Sequence, residues 1–280
     1  MSSLREIRDH IGSVRSTLKI TSAMKLVSSS KLRKAQKAVE TLLPYQREIS
    51  SILSELTPCT AGPEIELDAS PREVPSKRAV VVIAGNSSMC GAFNANVVKR
   101  ALDVVRDAPG ADVFALGRKA SEGLRHAGVT LKGDRSVLIS RPSYDDIAVF
   151  AASLADAYDG VTLVYNHFVS TSRQEVVSDE LPGQAGLPVP AAAKASCEDE
   201  YIVEPGVDEV VRELYPKSVS LKLFASVLDS AAAEHAARMI AMQTATDNAE
   251  QILSDLTLEY NKGRQQKITA EILDLLGGAQ

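Results

Sequence analysis

Between Pro216 and Leu276 the chain repeats one helical pattern for about sixty residues without an interior proline. Apolar or small residues recur at alternating spacings of four and three, through Leu221, Ala225, Leu228, Ala232, His235, Met239, Met242, Thr246, Ala249, Leu253, Leu256, Tyr260 and Gly263. Such a heptad seam packs one helix against another over a long distance. At 1.5 Å per residue the helix is about 90 Å long, more than a domain of this size can enclose. Most of it is therefore expected to stand clear of any compact body.

The other terminus repeats the rhythm. Leu4, Ile7, Ile11, Val14 and Leu18 follow it, and the seam resumes at Leu32, Ala35, Val39 and Leu42. Ser3 with Glu6 reads as a capping box. Ile49, Leu53 and Leu56 keep the phase beyond Pro44, which predicts a kink there rather than an end. Two terminal helices with one seam each are expected to pair with each other, as a coiled coil of residues 1–57 and 206–280. A linker over 58–77 and a body over 78–205 fill the rest.

That body reads as alternating strands and helices. Arg78 to Ala84 is a short apolar run of the kind buried in parallel sheets, followed by a turn-rich Gly85-Asn86-Ser87-Ser88 and a helix from Phe93 to Arg106. Val113 to Leu116 and Val161 to Val169 are further strands. A helix follows Gly117 to about His126, and Ser143 with Asp146 suggests a capped helix to about Tyr158. The order predicts a doubly wound α/β domain. Pro58 to Pro75 and Pro182 to Pro190 read as linker and loop.

Charge is unevenly distributed. Residues 1–43 hold nine basic against three acidic residues, a local +6 in a chain whose net charge is −5. From Lys19 to Lys37 there are six positive charges and no negative one, and Thr21, Lys25 and Ser28 occupy the seam. A nucleic-acid reading lacks interleaved aromatics and a base-reading module. A protein partner with acidic loops fits better, and a solvated face is the plain alternative.

No catalytic constellation is legible. The segment from Gly85 to Gly91 lies where a phosphate loop would sit but lacks both the Gly-Lys-Ser/Thr ending and the G-x-G-x-x-G spacing. Cys90 reads as a packed thiol, and Cys59, Cys90 and Cys197 do not form a disulfide framework. His10, His126, His167 and His235 lack metal-ligand spacing. Glu198-Asp199-Glu200 reads as a solvated turn. No run of about 18 apolar residues is present and no signal peptide is evident, so direct membrane insertion is not expected.

Three blocks add a sharper reading. Ile11 to Gln36 (IGSVRSTLKITSAMKLVSSSKLRKAQ), Cys90-Gly-Ala-Phe-Asn94, and Glu234 to Asn248 (EHAARMIAMQTATDN) with Tyr260-Asn-Lys262, Arg264-Gln265, Ile268-Thr269, Glu271-Ile272 and Gly277-Gly278 resemble the gamma subunit of the rotary ATP synthase. The resemblance spans the chain from end to end. It implies a noncatalytic central shaft, an antiparallel coiled coil of the two terminal helices without metal or cofactor, standing in a hexamer of three alpha and three beta subunits. The body would rest with the epsilon subunit on the ring of c subunits, peripherally, at the cytoplasmic face of a bacterial plasma membrane. Ion-driven rotation of the ring would then drive the beta sites through their states in turn.

By matching position, the resemblance implies hexamer contacts at Met24, Lys25, Arg238, Gln265, Thr269 and Glu271. It implies a bearing tip at Ile272, Leu273, Leu275 and Leu276. Two departures stand out: the loop Gly85 to Met89 is uncharged where the family often carries charge, and Gly263 replaces a common Ala inside the long helix. A free-standing coiled-coil scaffold and a nucleotide-binding enzyme built on the α/β body are the rival classes.

Overall fold

The computed structural model describes residues 4–56, 77–182 and 203–277. Several sequence readings lie outside them: the Ser3 cap, the linker 58–75, the loop beyond Pro182, Cys59, Cys197 and the acidic run 198–200. The side chains of Leu275 and Leu276 lie outside them as well.

The chain divides into two units, one of residues 1–30 with 238–280 and one of residues 31–237. Helix α1 (Leu4–Leu56) and helix α6 (Val207–Gly277) each contribute to both. In the first unit the two helices run antiparallel. Thr21 meets Thr246 through a 2.9 Å hydroxyl hydrogen bond, and Leu4 lies beside Gly263. The seam is where burial concentrates: Ile7, Thr21 and Ser28 of α1 and Met242, Thr246 and Ala249 of α6 are all buried. A methyl group at Gly263 would come within 3.0 Å of Leu4 Cδ2, so the glycine seats that leucine at the seam.

In the second unit the same seam continues with larger side chains. Ile49, Leu53 and Leu56 of α1 cluster with Val211 and Leu221 of α6. Helix α1 runs through Pro44 without ending. Helix α6 begins at Val207 and runs through Pro216 without ending. Val207, Val210, Val211 and Leu214 carry helical spacing themselves and pack into the α1 cluster, which offsets the hydrogen bond the proline removes.

The body is a five-stranded sheet in the order β3-β2-β1-β4-β5. Strands β1 (Arg78–Ile83), β2 (Asp112–Leu116), β3 (Leu131–Asp134) and β4 (Gly160–Phe168) are parallel, with Val81 level with Phe114 on one side and Leu163 on the other. Alternation of side chains along β1 divides the core. Ala79, Val81 and Ile83 face helix α5 (Tyr144–Ala157) and α6 through Ile147, Leu154, Leu223 and Val227. Val80, Val82 and Ala84 face helices α2 (Phe93–Asp107) and α3 (Arg118–His126) through Val97, Ala101, Ala120 and Leu124. A sheet covered on both faces explains why these strands read as continuous apolar runs.

Three features were not read from the sequence. Short β3 and the single-turn helix α4 (Val137–Ser140) precede α5, and β5 (Gln174–Pro182) pairs antiparallel with β4. The connection from β4 to β5 is closed by reciprocal backbone hydrogen bonds between Ser170 and Arg173, far too short for a parallel crossover. Ser143 does sit with extended backbone at the start of α5, but its hydroxyl makes no capping bond, so the expected side-chain cap is absent there. Its carbonyl accepts the amide of Ile147 instead.

Candidate interaction surfaces

Two places merit a functional reading: the paired helices of the first unit, and the strand-to-helix loop after β1 in the second. On the paired helices, Met24 and Lys25 are half-buried and Arg238 is only 8% exposed. Gln265, Thr269 and Glu271 are exposed. The Thr269 hydroxyl donates to the Gln265 carbonyl at 2.9 Å, and Glu271 lies 3.8 Å from Lys267 across one helical turn. Exposed pairs of that kind contribute little to stability. Ile272 and Leu273 are 51% and 62% exposed at the end of α6.

Sequence reasoning missed an apolar strip. Ile20, Leu26 and Val27 of α1 are 60%, 69% and 55% exposed, flanked by Lys19 and Lys25. On α6, Leu258 and Ile268 are exposed, and with Gln265 and Ile272 they recur at helical spacing along one face. The signal was available, since Ile20, Leu26, Val27, Leu258, Ile268 and Ile272 are apolar residues out of phase with the seam.

The loop after β1 is closed upon itself. Asn94 accepts the amide of Gly85 at 2.9 Å and donates from its own amide to the Ser87 carbonyl and the Cys90 sulfur. Asn86 accepts the Arg118 amide at the start of α3 and donates to the Ser136 carbonyl and the Ser140 hydroxyl. The Asn94 side chain thus takes the Gly85 N–H, a backbone donor of the kind a phosphate loop presents to its ligand. Helix α6 adds a carboxylate: a Cβ on Gly85 would come within 2.7–2.9 Å of the buried Glu234 side chain. A negative group lodged at that point opposes phosphate. Gly117, at φ 112°, lets the next strand end approach Ala84, whose carbonyl would lie 2.0 Å from any added Cβ. Cys90 is buried with Phe93 and Ala233 as a packed thiol.

Among the described residues no group of three or more His, Cys, Asp or Glu side chains is placed to hold a metal ion. No helix among them is long and apolar enough to cross a membrane.

Comparison with known proteins gives this architecture a family. A family model described as ATP synthase matches residues 3–280. An ATP synthase gamma chain of Phocaeicola vulgatus is 43% identical, with 100% of this chain and 99% of that one aligned. This chain belongs to the ATP synthase gamma chain family. A second relative, the ATP synthase gamma chain of Bacteroides fragilis, is 41% identical over the same shares of both chains.

Solved structures agree in fold. A chain of the Euglena gracilis mitochondrial ATP synthase rotor aligns with a TM-score of 0.68 at 18% identity, covering 95% of this chain and 98% of that one. A chain of the Tetrahymena thermophila mitochondrial ATP synthase central stalk and c ring aligns with a TM-score of 0.60 at 22% identity, covering 81% and 99%. The family's gamma chains are noncatalytic.

Proposed function

We propose that this chain is the central rotor shaft of an ATP synthase, coupling ion-driven rotation of a c ring to sequential conformational change in catalytic beta subunits. The observation that carries the reading is the seam-paired antiparallel stretch of α1 and α6 in a chain aligned end to end with gamma chains. Continuous helices locked by a seam transmit torsion with little internal slippage. A rotor without an active site acts only through contacts that differ between the states of its neighbours, because only differential contact shifts a conformational equilibrium.

In this reading residues 1–57 and 206–280 serve as the coiled coil, 58–77 as linker and 78–205 as the body. Three alpha and three beta subunits surround the shaft, and the body meets the epsilon subunit and the c ring, peripherally, at the cytoplasmic face of a bacterial plasma membrane. Met24, Lys25, Arg238, Gln265, Thr269 and Glu271 are the proposed contacts to the hexamer. Ile272, Leu273, Leu275 and Leu276 are the proposed bearing tip, where apolar groups make contacts without directional bonds that resist turning.

The test is ATP hydrolysis by purified alpha and beta subunits of the same organism, with and without this chain, together with the subunit ratio of the assembled complex. Cooperative turnover that needs one copy of the chain per hexamer is the expected result. A chain that neither joins the hexamer nor alters turnover overturns the proposal. Gln265 and Thr269 are the cleaner positions to substitute, since Arg238→Ala removes buried packing together with charge.

A further inference from the structure

Within the second unit a cavity of about 400 Å³ opens between α1, α6 and the β4–β5 edge of the sheet. Its size falls in the range of small-molecule sites. Val39, Leu42 and Leu43 of α1 wall one side, and Phe168, Ala225 and Ala232 wall the other. Polar groups come from all three elements: Gln36, Glu40 and Gln46 of α1, Lys222 and Asp229 of α6, and Tyr165, His167 and Asp179 of the sheet. Tyr165 donates its phenol proton to Asp179 at 2.9 Å. Asp229 receives His167 Nδ1 at 2.6 Å and the Phe168 amide at 3.0 Å.

Carboxylates outnumber ammonium groups. Glu40, Asp179 and Asp229 line the cavity with one ammonium, Lys222, which donates to the Glu180 carbonyl at 2.7 Å, and with the imidazole of His167, which already engages Asp229. Burial raises the Tyr165 phenol above its ordinary pKa. The Asp179 hydrogen bond adds to that, and the charges of Asp179 and Asp229 act in the same direction. The phenol therefore stays a neutral donor, and both carboxylates are close enough to be felt at its oxygen. These carboxylates are not grouped to chelate a metal ion. Apolar walls beside an acidic floor disfavour an anion and leave an uncharged ligand without a partner for the excess charge.

We infer that this cavity binds a small amphipathic cation, a primary amine on a compact apolar group, with the ammonium held at Asp179 and Asp229 and the hydrocarbon against Val39, Leu42 and Phe168. Bound there, it would tie the 31–56 segment of α1 to the sheet edge and to α6 inside one unit. The inference does not depend on the rotor reading.

The experiment is ligand-observed saturation-transfer NMR on the full-length chain at neutral pH with three isosteric probes: cyclohexylmethylamine, cyclohexylmethanol and cyclohexanecarboxylate. The amine is expected to bind saturably and at least about tenfold more tightly than the other two, the scale of a charge-assisted hydrogen bond. Asp179→Asn, which keeps an acceptor for Tyr165, should remove most of that preference while leaving the alcohol unchanged. Ala225→Phe, which fills the cavity, should abolish binding of the amine. Absence of saturable amine binding at millimolar concentration overturns the inference, as does equal binding of amine and alcohol by the unsubstituted chain. Amine binding that survives Ala225→Phe also overturns it, by placing the site elsewhere.

Discussion

Gly85 is the point where α6 presses on the end of β1, and the contact is with the Glu234 carboxylate rather than with backbone. A methyl group there forces the carboxylate to move while it remains buried. Gly85→Ala should therefore destabilise the chain by about 2 kcal/mol, in the range of overpacking. In a Glu234→Ala background the same change should be nearly neutral, a coupling of roughly 1–2 kcal/mol for residues in direct contact. Urea unfolding of the four proteins measures it, and additive losses would mean that the crowding lies elsewhere.

Tyr158 offers a second test at this scale. Its hydroxyl donates to Asp112 at 2.8 Å, and burial, helped by that bond, pushes its pKa up to about 12. A folded-state value above the unfolded one, near 10 for tyrosine, contributes stability that is complete below pH 10 and lost as pH rises toward 12. Tyr215 is pushed up to about 12 by burial and acts in the same window. Asp112 works in the opposite direction. Tyr158 chiefly, with Lys132, holds its carboxyl below the usual range against desolvation, so its contribution is present above about pH 4 and lost on acidification. Unfolding free energy should thus fall between pH 10 and 12, and Tyr158→Phe should make that fall shallower without removing it.

At the scale of elements, the polar pair in the seam stands out. Thr21 and Thr246 are buried opposite each other, and their hydroxyls can also bond to the Leu18 and Met242 carbonyls within their own helices. Either single change to Val removes one side of a buried bond and should destabilise by about 1 kcal/mol, whereas the double change replaces both with apolar groups of the same shape and should be nearly neutral. Denaturant unfolding of the three variants separates those outcomes. If the pair fixes helix register, as single polar seam residues do in coiled coils, the double variant should also show looser pairing by hydrogen exchange near Thr21.

The helix pair was legible because a heptad repeats its own message for many turns. Central strands were legible because burial on both faces makes them uniformly apolar, as in the Val80 to Ile83 run. Strand β5 was not, since an edge strand with half-buried faces tolerates Glu175, Asp179 and Glu180, and its pairing depends on β4 rather than on its own pattern. The apolar spacing of Val207 to Leu214 carries α6 through Pro216, because those side chains pack against α1. At the candidate surface, the seam explained which residues are hidden but not which are shown.

For the molecule as a whole, what matters is the distinction between groups that hold the chain together and groups left for something else. Ile20, Leu26 and Val27 contribute little to the fold, because each remains more than half exposed. Their replacement by Gln should change the stability of the isolated chain by no more than about 0.5 kcal/mol per site. If the strip is covered on assembly, each would regain roughly 1 kcal/mol or more of apolar burial, so the triple variant should join alpha and beta subunits more than tenfold less tightly. Ile7, buried in the seam of the same unit, makes the contrast. Ile7→Ala should destabilise the chain itself by about 2–3 kcal/mol and affect assembly only through that loss. Thermal unfolding of the free chain beside titration into the alpha and beta subunits distinguishes the two. A triple variant that assembles normally would show that the strip is bystander surface, and the contact would then have to come from the basic and polar positions around it, where association weakens steeply with added salt.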